Sequence, residues 1–288
     1  MRADPQAWQV EPMTPRLGAL VRGAHFDGAP NPETRAAVKA LLDRHLVCVF
    51  ADQSLDPAQL RDFTGAFGPI FLHHGDEGVL YAEGVPEVLE MRKEPDGKRL
   101  FGGSDWHADV TFQQPAGYLS ILQAKIIPPL GGDTCFADTI AAFESLSPAL
   151  QAQLRGLKAL HSYYGPGGAE VPGLTALHPV VRRHPASGAE GLYLNRMFTT
   201  RFEGMTEAES RPLIHFLTER MASPEFTCRL RWHSGYLALW DNRFTLHYPI
   251  NDFTGERRLL IRCTALESET QAALQTQEVF DRQVSAAE

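Results

Sequence analysis

Cysteine is scarce in this chain. Its 288 residues include four, Cys48, Cys135, Cys228 and Cys263, far apart and without a Cys-x-x-Cys pair. That spacing argues against a zinc ribbon or a disulfide framework; the four read as small buried hydrophobes of a reducing compartment, with a disulfide left open. Long apolar runs are missing too, and none approaches the roughly 18 residues of a membrane span. Residues 1–30 carry Pro5, Pro12, Pro15 and scattered charge, unlike a secretory leader. The expectation is a cytoplasmic protein with no membrane partner. Positive charge is in deficit, 27 Lys+Arg against 35 Asp+Glu for a formal charge of −8. With no long basic run, nucleic acid is not an expected partner either. Repeats, low-complexity tracts and linkers are absent, so residues 1–288 read as one domain with peripheral tails at 1–15 and 268–288.

What is present is an ordinary globular composition, 43% hydrophobic and 22% charged, with 24 Gly and 20 Pro that suit a loop-rich β protein. Asn31-Pro32 and Asp56-Pro57 each place a capping side chain before an N1 proline and so predict two helix starts. Gly68-Pro69 stops the second helix. Leu46 to Phe50 reads as a short buried strand between them. Further strands are expected at Val88–Met91, Tyr118–Ala124, Gly191–Asn195, Phe226–Trp232, Tyr236–Trp240 and Arg257–Ala265. Helices are expected near Thr139–Arg155 and over Glu207–Met221, the latter with Thr206 and Glu209 as a capping box. Many short strands with a few helices predict a mainly β fold with flanking helices, a double-stranded β-helix or jelly-roll core enclosing a cavity.

The pattern with chemical content is His-x-Asp. In extended chain, residues i and i+2 face the same side, so an imidazole and a carboxylate can grip one metal ion together. The pattern occurs three times where composition alone predicts fewer than one, so context has to choose. His25-Asp27 lies among Gly23, Gly28 and Pro30, a surface turn by composition. His74-Asp76 lies in a glycine-flanked loop that could line a pocket entrance. His107-Asp109 enters the apolar and aromatic run Trp106–Phe112 and leads into the strand from Tyr118.

A third ligand should come from a later strand. His247 follows the apolar strand Leu237–Trp240 and its turn, and completes a 2-His-1-carboxylate set that leaves metal positions open. Arg258 follows eleven positions later and Arg262 four after that. On an extended strand Arg258, Leu260, Arg262 and Thr264 share one face, with Leu259 and Ile261 opposite. Two guanidinium groups inside a β core are costly unless anions meet them, and a planar guanidinium holds a carboxylate bidentately. Each residue alone has a plainer reading: a single histidine is most often structural, and strand arginines are usually exposed or paired with acids such as Glu267, Glu269 or Asp252. The combination carries the argument.

With these residues the chain resembles the Fe(II)- and 2-oxoglutarate-dependent dioxygenases of the taurine / 2,4-dichlorophenoxyacetate family. The matching text is Trp106–Phe112, Gly131-Gly132-Asp133-Thr134, Trp240-Asp241-Asn242-Arg243 with His247, and Arg257-Arg258 with Arg262. The likeness runs from about Leu17 to Ala265. It implies that His107, Asp109 and His247 bind iron, that Thr134 and Arg258 hold the distal carboxylate of 2-oxoglutarate, and that Arg262 serves the co-substrate's other end and the substrate's anionic group. His73, with His74 as its rival one residue on, falls where the taurine-acting members bind substrate, and Phe198 where they place an aromatic wall. Phe71, Phe101 and Tyr163 are further candidate walls. The family's substrate tyrosine aligns near Asp76 and its asparagine near Gly103, so taurine itself is disfavoured.

The resemblance implies O2-dependent hydroxylation of a small anionic organic molecule, with 2-oxoglutarate converted to succinate and CO2. The stretch Arg201–Trp232 looks most like aryloxyalkanoate-cleaving members, whose hemiketal-like product collapses. The alternatives are an alkyl sulfonate or sulfate ester substrate and, in another class, a non-catalytic jelly-roll protein binding a metal or an organic anion. A halogenase is disfavoured because Asp109 supplies the carboxylate such enzymes typically lack. The family likeness also implies a homo-oligomer.

Overall fold

The computed structural model describes residues 4–73, 80–97, 105–164 and 170–267. The tail at 268–288 and the positions His74, Asp76, Phe101 and Gly103 lie outside them. The first strands are β1 (Gln9–Pro12), β2 (Ala19–Arg22), β3 (Val47–Phe50), β4 (Tyr81–Ala82), β5 (Val85–Lys93) and β6 (Gly117–Ile126). Then come β7 (Thr134–Asp138), β8 (Lys158–Tyr164), β9 (Glu170–Pro179), β10 (Val181–Arg183), β11 (Glu190–Leu192) and β12 (Thr199–Phe202). The last are β13 (Thr227–Leu230), β14 (Leu237–Asp241), β15 (Thr245–Pro249) and β16 (Arg258–Leu266). The helices are α1 (Pro32–His45), α2 (Pro57–Gly65), α3 (Thr139–Glu144), α4 (Pro148–Arg155) and α5 (Glu207–Met221). None of them is long and apolar enough to cross a membrane.

An eight-stranded sheet in the order β1-β2-β3-β14-β6-β16-β5-β4 faces the three-stranded sheet β13-β7-β15, with β12-β8-β9 as a further three-stranded sheet. The core is a jelly roll. Strand alternation sorts the large sheet into two faces. Cys48, Phe50, Leu119, Ile121, Leu237, Leu239, Ile261 and Cys263 point outward and pack on Val38 and Leu42 of α1 and Leu60 and Phe63 of α2. Val47, Val49, Leu122, Ala124, Ala238, Trp240 and Leu260 point inward against Phe136, Cys228 and Leu230 of the small sheet. Arg258, Arg262 and Thr264 keep step with Leu260, so their side chains enter the interior. The large sheet is thus one wall of the jelly-roll interior, and α1 and α2 cover its outer face.

The helix starts form for the local reasons the sequence displays. Asn31 Oδ1 accepts from Thr34 N at 2.8 Å, and Asp56 and Thr206 each close a capping box. Several boundaries differ from expectation. The helical stretch 139–155 is two helices, because Ser147 caps a new start and Pro148 occupies its first turn. Leu46 is not in the strand but in a left-handed C-cap of α1, φ 60°. The strand expected over 191–195 is shorter, Glu190–Leu192, and the one expected over 226–232 loses Phe226 to a 3-10 turn. Within residues 1–15, β1 forms one edge of the large sheet, with all its residues exposed. The four cysteines are free thiols; all are buried except Cys135, which is half-buried.

Candidate metal centre

Three chain segments build the site. His107 pairs with His247 of β15 in an isolated antiparallel bridge, His107 N donating to His247 O at 3.0 Å and His247 N to His107 O at 2.7 Å. This reciprocal pairing brings the two imidazoles side by side, with ring centroids 4.1 Å apart. Two residues after His107 the chain turns at Asp109. Val110 then takes φ 57°, a left-handed conformation unusual for a β-branched residue. Gly117 permits this turn, since a Cβ there would stand 2.6 Å from Asp109 O.

One donor atom from each of His107, Asp109 and His247 lies within 4.8 Å of the others, and all three residues are buried. The ring Nε2 atoms stand 3.7 Å (His107) and 3.8 Å (His247) from Asp109 Oδ1, converging on it beyond hydrogen-bonding distance. His107 Nδ1 donates to Asp105 O at 2.9 Å, so its Nε2 carries the lone pair that faces the carboxylate. Two nitrogens and one carboxylate oxygen gathered from one side are the donor set of a facial-triad metal ion. The protonation states suit ligation. Burial lowers the His107 pKa against the pull of Asp109, and burial together with His107 pushes His247 well below its ordinary value. For Asp109, burial acts upward, but Arg262, His247, His107 and the Ser120 hydroxyl outweigh it and hold the carboxyl well below the usual carboxylate range.

The two arginines lie where strand alternation predicts. Arg262 Nη2 pairs with Asp109 Oδ2 at 2.6 Å, and its Nε is buried with no hydrogen-bond partner among the described residues. Arg258 is 4% exposed and donates through Nη2 to Gly132 O at 3.0 Å. Burial lowers its pKa to about 10, against the opposing pull of Asp133. Gly132 makes room for the guanidinium: a Cβ there would sit 3.1 Å from Arg258 Nε and 3.2 Å from the Phe253 ring. Thr134 is buried at the start of β7, and its hydroxyl accepts from Trp232 Nε1 at 3.0 Å.

Aromatic side chains cluster beside the triad. Phe198 meets the His107 ring at 6.4 Å and Phe112 at 5.1 Å, while Phe112 also contacts Tyr163 at 4.8 Å and Phe71 at 6.4 Å. His73, half-buried, stands edge-on to Phe71 at 4.8 Å. A row of rings thus connects His73 to the triad. His74 and Phe101 lie outside the described residues. The other expected surface pair, His25 and Asp27, is exposed.

Sequence reasoning missed the residues that hold this centre in shape. Ser120 donates to Asp109 Oδ2 at 2.6 Å, and Asn242 Oδ1 accepts from Asp109 N at 3.0 Å. On the other side of the turn, His178 Nε2 donates to Thr111 O and Gln113 O at 2.9 and 3.0 Å, while His161 and Asn195 hydrogen-bond with the Thr111 hydroxyl. The run Trp240–Arg243 is visible as a motif, but nothing in it shows that Asn242 would reach Asp109.

Known proteins share this architecture. The model of the family described as taurine catabolism dioxygenase TauD, TfdA family matches residues 9–264. An alkylsulfatase of Acinetobacter baylyi is 32% identical, covering 90% of this chain and 85% of its own. An alpha-ketoglutarate-dependent 2,4-dichlorophenoxyacetate dioxygenase of Cupriavidus pinatubonensis is also 32% identical, over 90% of this chain and 97% of its own. Among solved structures, a taurine dioxygenase from Burkholderia xenovorans superposes with a TM-score of 0.78 at 34% identity, covering 91% of this chain and 92% of that one. A jelly roll with a buried His-Asp-His cluster, matched by that family over nearly its whole length, makes this chain a member of the TauD/TfdA dioxygenase family.

Proposed function

We propose that this protein is a Fe(II)- and 2-oxoglutarate-dependent dioxygenase that hydroxylates a small anionic substrate, an aryloxyalkanoate. One observation carries the reading: the buried His107, Asp109 and His247 donors converge inside the jelly roll, beside a strand face that carries the buried Arg258 and the partly buried Arg262. Iron, when bound with 2-oxoglutarate and O2, supplies the oxidising power for C–H hydroxylation, with succinate and CO2 as co-products. His107, Asp109 and His247 would hold the metal, and 2-oxoglutarate and O2 would meet it there. Arg258 and Thr134 receive the distal carboxylate of 2-oxoglutarate. The guanidinium is kept charged and dry in a recess that Gly132 leaves open, where a carboxylate binds far more strongly than in water.

Arg262 binds the substrate's anionic group and borders the other end of the co-substrate, its Nε being the buried donor an anion would satisfy. Phe198 offers a flat apolar face beside His107, with Phe112, Phe71 and Tyr163 behind it, and His73 adds a polar contact at the far end of the row. These rings favour an aryl group and keep water from the reacting carbon. A hydroxyl placed on a carbon that bears an ether oxygen gives a hemiketal-like product, which collapses and expels the phenol without a protein base. The family likeness supports a homo-oligomer, and the four free cysteines support a reducing, cytoplasmic compartment.

A second reading, an alkyl sulfate or sulfonate substrate, is favoured by the likeness to an alkylsulfatase and by the same Arg262, which suits sulfate as well as carboxylate. The test is substrate-dependent succinate release by the iron-loaded protein. The panel contains phenoxyacetates, phenoxypropionates, alkyl sulfates and alkyl sulfonates. Turnover led by the aryloxy acids is the expected result. Turnover confined to the sulfur acids keeps the reaction and replaces the substrate, and silence across the panel contradicts the proposal.

A further inference from the structure

Ser120 on β6 and Asn242 just beyond β14 are 122 positions apart, and pairing of these neighbouring strands brings them together. Asn242 Oδ1 accepts from Asp109 N at 3.0 Å and from Trp240 Nε1 at 3.1 Å. Both partners can only donate, so the amide has a single orientation, with its nitrogen toward Ser120. Asn242 Nδ2 accordingly donates to Ser120 Oγ at 2.9 Å. The serine's one proton goes to Asp109 Oδ2 at 2.6 Å, and Thr264 Oγ1, at 3.3 Å, is left to donate to the serine oxygen. Ser120 is 0% exposed, Asn242 1%, Thr264 1% and Asp109 4%, so water does not compete for these bonds.

We propose that Ser120 and Asn242 are positioning residues that reserve Asp109 Oδ2 for hydrogen bonding and present Oδ1 alone to the metal. The proposal rests on the reading of His107, Asp109 and His247 as the metal centre. The two carboxylate oxygens already differ: Oδ1 is the one the His107 and His247 nitrogens face, and Oδ2 is taken by Ser120 and Arg262. When Arg262 turns to an arriving anion, Ser120 still holds Oδ2. A carboxylate chelating through both oxygens would occupy a second metal position, one that the co-substrate and O2 need. The Asn242 bond to Asp109 N fixes the backbone of the same residue, so the side chain is anchored at both ends.

Mn(II) binding to the intact protein, measured by calorimetry, and the visible absorption of its Co(II) form test this without turnover. Ser120→Ala is expected to weaken Mn(II) binding about 10- to 100-fold, the usual effect of losing a ligand's outer partner, and to change the Co(II) band intensity as coordination changes. Ser120→Thr, which keeps the hydroxyl, restores both. Thr264→Val removes an equally buried hydroxyl from the same cluster and leaves Mn(II) affinity at the wild-type value. Wild-type affinity in Ser120→Ala overturns the proposal. Should Ser120→Ala not fold, Asn242→Asp decides instead. Its added negative charge would by Coulomb attraction tighten a cation, whereas loss of the donor to Ser120 weakens it, so unchanged or tighter binding overturns the proposal. His107→Ala separates the two levels. If it binds Mn(II) like wild type, the metal-centre reading fails; if it loses Mn(II) while Ser120→Ala keeps it, only the positioning role fails.

Discussion

Arg258 and Arg262 share the inner face of β16, yet they meet different partners. Arg262 pairs with the Asp109 carboxylate at 2.6 Å, whereas Arg258 donates to the backbone carbonyl of Gly132 at 3.0 Å. Arg262 therefore belongs to the triad's electrostatics and contributes to keeping Asp109 ionised. Arg258 sits in a recess shaped by Gly132 and Phe253, where burial lowers its pKa to about 10. In the proposed reaction, one end of the strand serves the metal and the substrate, and the other serves the co-substrate's far end. Two like charges on one strand face thus meet different surroundings, because the opposite wall offers a carboxylate to one and a glycine recess to the other.

The largest expected effect removes what Arg262 faces. Asp109→Ala should lower substrate-dependent succinate release by more than the roughly 10- to 100-fold that an outer partner costs, because it deletes a ligand itself. Titration with Fe(II) would show that added metal does not rescue it. Next comes the recess: Arg258→Gln should cost about 2–5 kcal/mol of 2-oxoglutarate binding, which is roughly 30-fold or more in its KM. Steady-state KM for 2-oxoglutarate and for substrate, measured side by side, checks it. Arg262→Gln should reverse that ratio, raising the substrate KM more than the 2-oxoglutarate KM. Equal effects of both variants on both constants would erase the division of labour along β16.

Much of this division is legible in the amino-acid sequence. His107-Ala108-Asp109 entering an aromatic run, and arginines keeping step with Leu260, follow from a period-2 reading of single segments. The helix starts at Asn31-Pro32, Asp56-Pro57 and Thr206 are equally local. What the chain hides is of two kinds. Ser147-Pro148 carries the same cap-and-proline signal as Asn31-Pro32 and splits the expected helix into α3 and α4, so there the signal is local and stands inside an otherwise continuous helical stretch. Ser120 and Asn242, by contrast, are ordinary polar residues until the pairing of β6 with β14 makes them neighbours. No local pattern encodes that contact. The left-handed Val110 is hidden in the same way, because its conformation is imposed by Gly117, Asn242 and the His178 clamp from other parts of the chain.

The smallest expected effect concerns that clamp. Burial, with Arg182 adding to it, lowers the His178 pKa to about 4, and burial holds that of His161 well below its ordinary value. In the unfolded chain both titrate near 6.5, so the unfolded state binds more protons between pH 6.5 and 4. Their contribution to stability is present above pH 6.5 and is lost as pH falls toward 4. The melting temperature should drop over that interval, and His178→Gln should flatten the drop. A melting temperature that stays level from pH 6.5 to 4 in the wild-type protein would sink this prediction.

On the proposed reading the His107, Asp109 and His247 cluster runs 2-oxoglutarate-dependent oxidation. The most direct measurement is succinate formed from 2-oxoglutarate by the Fe(II)-loaded protein with a phenoxyacid present, compared with His107→Ala under the same conditions. Succinate that requires Fe(II), O2 and substrate in the wild type, and that disappears in His107→Ala, is the predicted result. Succinate release that persists undiminished in His107→Ala would contradict it.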